Sequence, residues 1–144
     1  MPRITSISGR IIFNSRGNKT IEVILTSDNK FLSRVSAPSG ASVGKHEATS
    51  FPNNMSSSKS PAEQGLEVLT ANVTKFIGLE SNDLKSIHDT IRSIDDTPNY
   101  SKMGGAVAFA LTIASMDSAS KALEQPLCKL IKPEGKLKLP KPLG

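Results

Sequence analysis

The apolar residues of this chain change their period once, and that change constrains the fold more than any other feature. Up to residue 36 they fall at alternate positions. Ile7, Ile11 and Phe13 share one parity, and so do Ile21, Val23 and Leu25. Alternation of this kind lays one side of an extended strand on a core. After residue 60 the spacing becomes three and four. Leu66, Leu69, Val73 and Phe76 form one stripe, and Leu84, Ile87, Ile91 and Ile94 form a second. Such stripes are the buried faces of helices. Strands followed by helices is the α+β order, with helices packed on one face of a small antiparallel sheet.

Local signals divide the chain further. Thr26-Ser27-Asp28-Asn29-Lys30 is a turn cluster before a third strand over 31–36. A turn this short makes an antiparallel hairpin. Residues 14–19 join the first two strands in the same way, which predicts a three-stranded meander. Residues 50–61 are rich in Ser, Asn and Pro and form a loop. Ser60-Pro61-Ala62-Glu63 then carries a capping hydroxyl, Pro at the first helical position and Glu at the third. Gly78 stops that helix, and 95–99 ends the second. The third is expected from about 101 to 124. Its first half, Ala106 to Leu111, is small and apolar all round, so it is expected to be buried on most sides. Gln125-Pro126 breaks it, a short helical turn follows to Ile131, and 132–144 is a linker of Pro, Gly and Lys. Residues 1–131 therefore form one domain.

Composition narrows the functional classes. Cys128 is the only cysteine, which rules out an intrachain disulfide and a multi-cysteine zinc site; it is expected to be a buried or half-buried thiol. The least polar run, 104–116, is short of the about 20 residues a membrane span needs. No apolar leader opens the chain, so a cytoplasmic location is expected. Net charge is +5, and Lys129, Lys132, Lys136, Lys138 and Lys141 crowd the end. No aromatic residue is interleaved with these lysines, so a solvated basic linker fits better than a nucleic-acid site.

Among the candidates for chemistry, Ser39-Gly40-Ala41-Ser42-Val43-Gly44-Lys45-His46-Glu47 is the most unusual stretch. Its glycines let backbone amides approach a ligand, and serine hydroxyls can ligate a hard cation. By composition alone it is more often a plain loop. Asn14-Ser15-Arg16-Gly17-Asn18 is a tight turn in which Arg16 is expected to be buried on backbone carbonyls. His88 lies beside the apolar stripe of its helix and is read as structural. Asp95-Asp96 before Thr97-Pro98-Asn99 is the pattern of a cap or turn rather than a metal site.

Several of these segments together resemble the amino-terminal domain of enolase (phosphopyruvate hydratase). Residues 14–23, Asn-Ser-Arg-Gly-Asn-Lys-Thr-Ile-Glu-Val, resemble that family's D-S-R-G-N-P-T-V-E-V. Residues 37–48, Ala-Pro-Ser-Gly-Ala-Ser-Val-Gly-Lys-His-Glu-Ala, resemble V-P-S-G-A-S-T-G-x-H-E-A. Residues 95–106 resemble L-D-G-T-x-N-K-S-x-x-G-A-N-A, 126–130 resemble P-L-Y-K-Y, and 139–144 resemble the strand that enters the family's barrel. The resemblance runs through essentially the whole chain in the right order. Departures are Asn14 for Asp, Lys19 for Pro, Val43 for Thr, Gly105-Ala106-Val107 for A-N-A, and 50–54 for the E-L-R-D run.

The resemblance implies a meander followed by a helical bundle. It implies a glycolytic lyase that interconverts 2-phosphoglycerate and phosphoenolpyruvate with Mg²⁺. Ser39, Gly40, Ala41, Ser42, Val43, Gly44, Lys45 and His46 would be its substrate lid, with Ser42 a ligand of the second Mg²⁺. Arg10 and Glu22 match positions of intersubunit salt bridges, so a homodimer or higher homo-oligomer is implied. The family's base, acid and remaining metal ligands lie in a (β/α)8-type barrel absent from this chain, so the 144 residues alone are expected to be inactive. The alternatives are a non-catalytic interaction module of the same fold, or a basic nucleic-acid-binding protein.

Overall fold

The computed structural model describes residues 1–39, 44–132, 134, 135, 138 and 141. Three strands, β1 (Ile4–Phe13), β2 (Lys19–Ser27) and β3 (Phe31–Ser36), pair in chain order, each antiparallel to the last. The expected meander is present. Its second turn is tight because Asp28 and Asn29 both take positive φ, 51° and 55°. Those are the values a right-twisting hairpin turn demands, and Asn and Asp tolerate them best. The Lys30 N–H closes the turn on the Ser27 carbonyl at 3.0 Å.

Register decides which side of the sheet is the core. Ile7 lies opposite Leu25, Ile11 opposite Ile21, and Val23 opposite Val35. Ile21, Val23 and Leu25 are fully buried under the helices. Arg10, Glu22, Ile24 and Arg34 have the other parity and occupy the uncovered face. Phe13 carries the buried parity but is exposed, because it stands at the strand end beyond the helices.

The helices are α1 (Pro61–Asn72), α2 (Leu84–Ile94), α3 (Gly105–Ala122) and α4 (Leu127–Ile131). Glu63 accepts both the Ser60 backbone N–H (2.8 Å) and the Ser60 hydroxyl (2.6 Å), as the start signal of α1 predicts. The α1 stripe outlasts the helix. Residues 73–75 tighten into a 3-10 turn, which still delivers Phe76 to the core at zero exposure. Gly9 gives the leucines of α1 room on β1. A Cβ there would come within 2.6 Å of Leu66 Cδ1.

Helix α3 covers β2 and β3, burying Val107, Ala110, Leu111 and Ala114. Each large side chain so buried contributes about 1.5–3 kcal/mol. Polar pins add direction to this packing. The Ser118 hydroxyl bonds the Phe31 carbonyl (2.7 Å) and the Ser27 hydroxyl (2.8 Å), and Ser33 donates to Asp117 (2.6 Å).

Three expectations need correction. Helix α3 begins at Gly105 rather than near 101, because Gly104 stands at φ 95° and the amides of Lys102 and Met103 turn onto Asp95. Its first half is buried on most sides, as expected, although Phe109 keeps 45% of its surface exposed. Cys128 and Arg16 are exposed, Cys128 on a short terminal helix and Arg16 at the tip of the β1–β2 turn. No helix among the described residues is long and apolar enough to cross a membrane.

Candidate functional site: the root of the serine loop

Two described flanks bracket the serine-rich stretch, and both are tied to the body of the domain. On the entry side, β3 ends at Ser36 and the chain passes Ala37 and Pro38 to Ser39. Here the Asn14 side-chain amide donates to the Ser39 hydroxyl at 2.9 Å. Asn14 can reach across because its own side-chain oxygen is occupied locally. It accepts the backbone N–H groups of Arg16 (2.9 Å) and Asn18 (3.0 Å). That Asx-type turn fixes the side chain and leaves its NH₂ for the loop. The motif at 14–18 therefore supports the motif at 39–47 directly.

On the exit side, Gly44 and Glu47 close on each other. The Gly44 N–H donates to Glu47 Oε2 (2.8 Å) and the Glu47 N–H donates to the Gly44 carbonyl (3.2 Å). Lys45 and His46 sit at the exposed tip of this turn. The chain then joins the 97–106 region. Thr49 N–H donates to the Asn99 carbonyl (2.8 Å), and the Asn99 side-chain amide returns a bond to the Thr49 hydroxyl (3.1 Å).

Helix α3 completes the attachment. Its first amides have no partner within the helix, and Gly104 offers no capping side chain. The Thr49 and Ser50 carbonyls serve instead, accepting from Gly105 (2.7 Å) and Ala106 (3.0 Å). The loop root thus caps the central helix. Beyond it, Gln64 ties residues 54–59 down: its Oε1 accepts from Asn54 N–H (2.9 Å) and its Nε2 donates to the Lys59 carbonyl (3.0 Å).

Under the root lies Asp95, with no solvent exposure. Its carboxylate accepts from the Thr97 amide and hydroxyl and from the Lys102 and Met103 amides, at 2.5 to 3.0 Å. Burial pushes this carboxyl up, but the four donors outweigh it and hold its pKa below the ordinary value. The Asp95-Asp96 pair is therefore a turn clamp, as read from sequence, and the clamp shapes the segment that receives Thr49. Glu63, at the α1 start, is held down at about 2, first by the Lys19 ammonium and then by Ser60.

Gly40, Ala41, Ser42 and Val43 lie outside the described residues, and so does most of the 132–144 linker. Ser39, Gly44, Lys45 and His46 flank that gap and are exposed. Among the described residues no group of three or more His, Cys, Asp or Glu side chains could hold a metal ion. Arg10 and Glu22 face each other across β1 and β2 and are bonded within the chain, Nε to Oε2 at 2.6 Å. His88 lines a groove with Ile91, Tyr100, Phe109 and Ile113. Sequence reasoning does not single out Thr49, Asn99 or Phe109. For Thr49 and Asn99 the only available signal is that Asn99 falls inside a family motif.

A three-stranded meander under a helical layer, with a serine loop rooted on its central helix, is an α+β domain of the enolase amino-terminal type. The profile described as "Enolase, N-terminal domain" matches residues 4–131. Proteins named enolase are similar along most of the chain. That of Methanosphaera stadtmanae is 34% identical over 146 residues, covering 98% of this chain and 33% of the relative. That of Halorubrum lacusprofundi is 33% identical over 127 residues, covering 88% and 30%. That of Bifidobacterium adolescentis is 32% identical over 138 residues, covering 91% and 31%. The chain belongs to the enolase family, as its N-terminal domain. It spans about a third of the length of the curated relatives it matches.

Proposed function

We propose that this chain serves as the lid and dimerisation domain of an enolase that reversibly dehydrates 2-phospho-D-glycerate to phosphoenolpyruvate with Mg²⁺. The observation that carries the reading is the double anchorage of the serine loop. Asn14 holds its entry at Ser39, and Thr49, Ser50 and Asn99 hold its exit on α3. Ser39, Gly40, Ala41, Ser42, Val43, Gly44, Lys45 and His46 then form a flap with fixed roots and little side-chain bulk. A flap of that kind can close over a substrate and exclude water.

Ser42 offers a hydroxyl and a carbonyl oxygen, hard neutral donors that suit Mg²⁺. The described residues add no carboxylate cluster, so the charged ligands belong to the catalytic barrel, along with the base and the acid. When bound, the metal supplies charge stabilisation for the carboxylate next to the carbon that loses its proton. This chain's part is to deliver Ser42, to bring backbone amides near Gly40 and Ala41 to the substrate's charged groups, and to shut out solvent. Arg10 and Glu22, on the uncovered sheet face, are placed to exchange their mutual bond for bonds across a homodimer.

The test is Ser42→Ala with this chain grafted in place of the matching third of the Methanosphaera stadtmanae relative. Turnover should fall by at least about tenfold, the cost of one transition-state donor or ligand, and the fall should deepen as Mg²⁺ becomes limiting. Turnover equal to the unmutated graft at limiting Mg²⁺ rejects the assignment.

A further inference from the structure

The hydrogen bond between Asn14 and Ser39 can run in only one direction. The nitrogen of a side-chain amide donates and does not accept, whereas its oxygen only accepts. The turn around Asn14 settles which end meets Ser39. Oδ1 takes the Arg16 N–H at 2.9 Å and the Asn18 N–H at 3.0 Å. The Asn14 backbone is braced as well, its N–H on the Asn18 carbonyl (2.9 Å) and its carbonyl under the Gly17 N–H (3.0 Å). Nδ2 is therefore the end that reaches Ser39 Oγ, at 2.9 Å. The Ser39 oxygen accepts, and its own O–H is left to donate elsewhere. Among the described residues no acceptor takes that proton.

We propose that Asn14 is a positioning residue for the substrate: by donating to Ser39 Oγ it reserves the Ser39 O–H as a donor to an anionic oxygen of the phosphorylated substrate at the entry of the flap. The proposal rests on the function proposed above. Asn14 and Ser39 share the lining of a cavity of about 340 Å³ at that entry. Ser15, Thr20 and Ser36 add hydroxyls to the lining, and among the described residues no carboxylate belongs to it. Ser39 itself is exposed. An uncommitted hydroxyl donor with no competing carboxylate beside it suits an anionic oxygen, to which hydrogen bonds are the stronger kind.

Position 14 is also where this chain departs from the D-S-R-G-N-P motif, with Asn in place of Asp. The difference is chemical rather than steric. A carboxylate is ionised near neutral pH and can only accept. In place of Asn14 it would keep the Arg16 and Asn18 amides on one oxygen and draw the Ser39 proton onto the other. The two side chains would stay bonded with the direction reversed. An anchor for the loop is served by either direction. Only a ligand that needs the Ser39 proton distinguishes Asn from Asp.

The test is a double-mutant cycle in the graft described above, with Asn14→Asp, Ser39→Ala and the two combined. Asn14→Asp retains the turn and the latch, so the unfolding transition should not move. KM for 2-phospho-D-glycerate should rise about tenfold, the worth of one hydrogen bond to a charged acceptor. Turnover should stay within about twofold, because such a bond is made alike in the ground and transition states. Ser39→Ala should raise KM by the same factor, and the combined variant should be no worse than either single one. An unchanged KM in Asn14→Asp or in Ser39→Ala overturns the proposal. Additive rises overturn it too, since they mean that the new carboxylate repels the substrate without acting through Ser39. With an active unmutated graft, either result leaves the proposed function standing. An inactive unmutated graft removes that function and this proposal together.

Discussion

The two irregular connections that meet at the start of α3 are built in opposite ways. Residues 95–104 close around a single buried carboxylate, and four donors converge on Asp95. Among the described residues of 37–50 there is no such centre. The attachments there are at the two ends, to Asn14 on one side and through Thr49 and Ser50 on the other. A loop organised around an internal ion has one conformation. A loop fixed at its roots can be organised at its tip by a ligand. The 95–104 connection therefore acts as the footing of the loop root at Thr49 and Ser50, and the two should respond differently to mutation.

The largest effect is expected at Asp95. Asp95→Ala leaves three amides and a hydroxyl without their acceptor, and an unsatisfied buried donor costs about 1–3 kcal/mol, so a loss of about 3 kcal/mol or more is expected. Thermal or urea unfolding would show it, and a loss below that of an ordinary surface change would mean that the turn stands without its clamp. The same residue sets a pH dependence. A carboxylate with a lowered folded pKa stabilises above its unfolded value, near ~3.9, and the contribution is lost as pH falls through the folded value. Glu63 acts in the same sense between its ordinary 4.5 and about 2. Stability should thus fall on acidification below about pH 4.5, and Asp95→Asn should flatten that limb while lowering stability at neutral pH.

The sheet and the helices were legible in the sequence because a single period sets each of them. Parity located β1 to β3, and three-four spacing located α1 and α2. The errors fall where tertiary contacts override local pattern. Nothing between Ser101 and Met103 forbids helix, but a carboxylate eight residues before Met103 takes the amides the helix would have used. Phe109 matches a buried helix by composition. Its exposure follows from the arrangement of α2, α3 and the loop root, which periodicity does not encode. Of the site, the serine motif was legible and its roots were not. Asn14 and Ser39 are far apart in sequence, as are Thr49 and Asn99, and a hydrogen bond between distant polar residues leaves no periodic trace.

The two connections cross at Gly104, which gives the second test. Its φ of 95° is a conformation that side chains resist, and an added Cβ would lie 2.6 Å from the Ser50 carbonyl and 2.9 Å from Phe51 Cα. Both obstacles are backbone, so they yield only if the loop root moves. Gly104→Ala should cost about 2 kcal/mol or more through strain and displacement. It should also lower turnover of the grafted enzyme beyond what its stability explains. A stable, fully active Gly104→Ala graft would show that the root tolerates displacement and would remove the basis for treating 95–104 as its footing.

The smallest effect, and the most selective, belongs to Asn99. Its side-chain amide makes one bond to the Thr49 hydroxyl at 3.1 Å in an exposed setting, while its carbonyl independently accepts the Thr49 N–H. Asn99→Ala removes the first and leaves the second, so global stability should change by no more than about 1 kcal/mol. Local opening should change more than global unfolding, because the lost bond belongs to the root alone. Hydrogen exchange reads the difference directly. The Thr49, Gly105 and Ala106 amides should exchange faster in Asn99→Ala, whereas amides of β2 and those bonded to Asp95 should keep their protection. A uniform rise across all of them would mean that the root and the clamp open as one unit. Unchanged exchange at Thr49 would mean that the backbone bonds hold the root without help from a side chain.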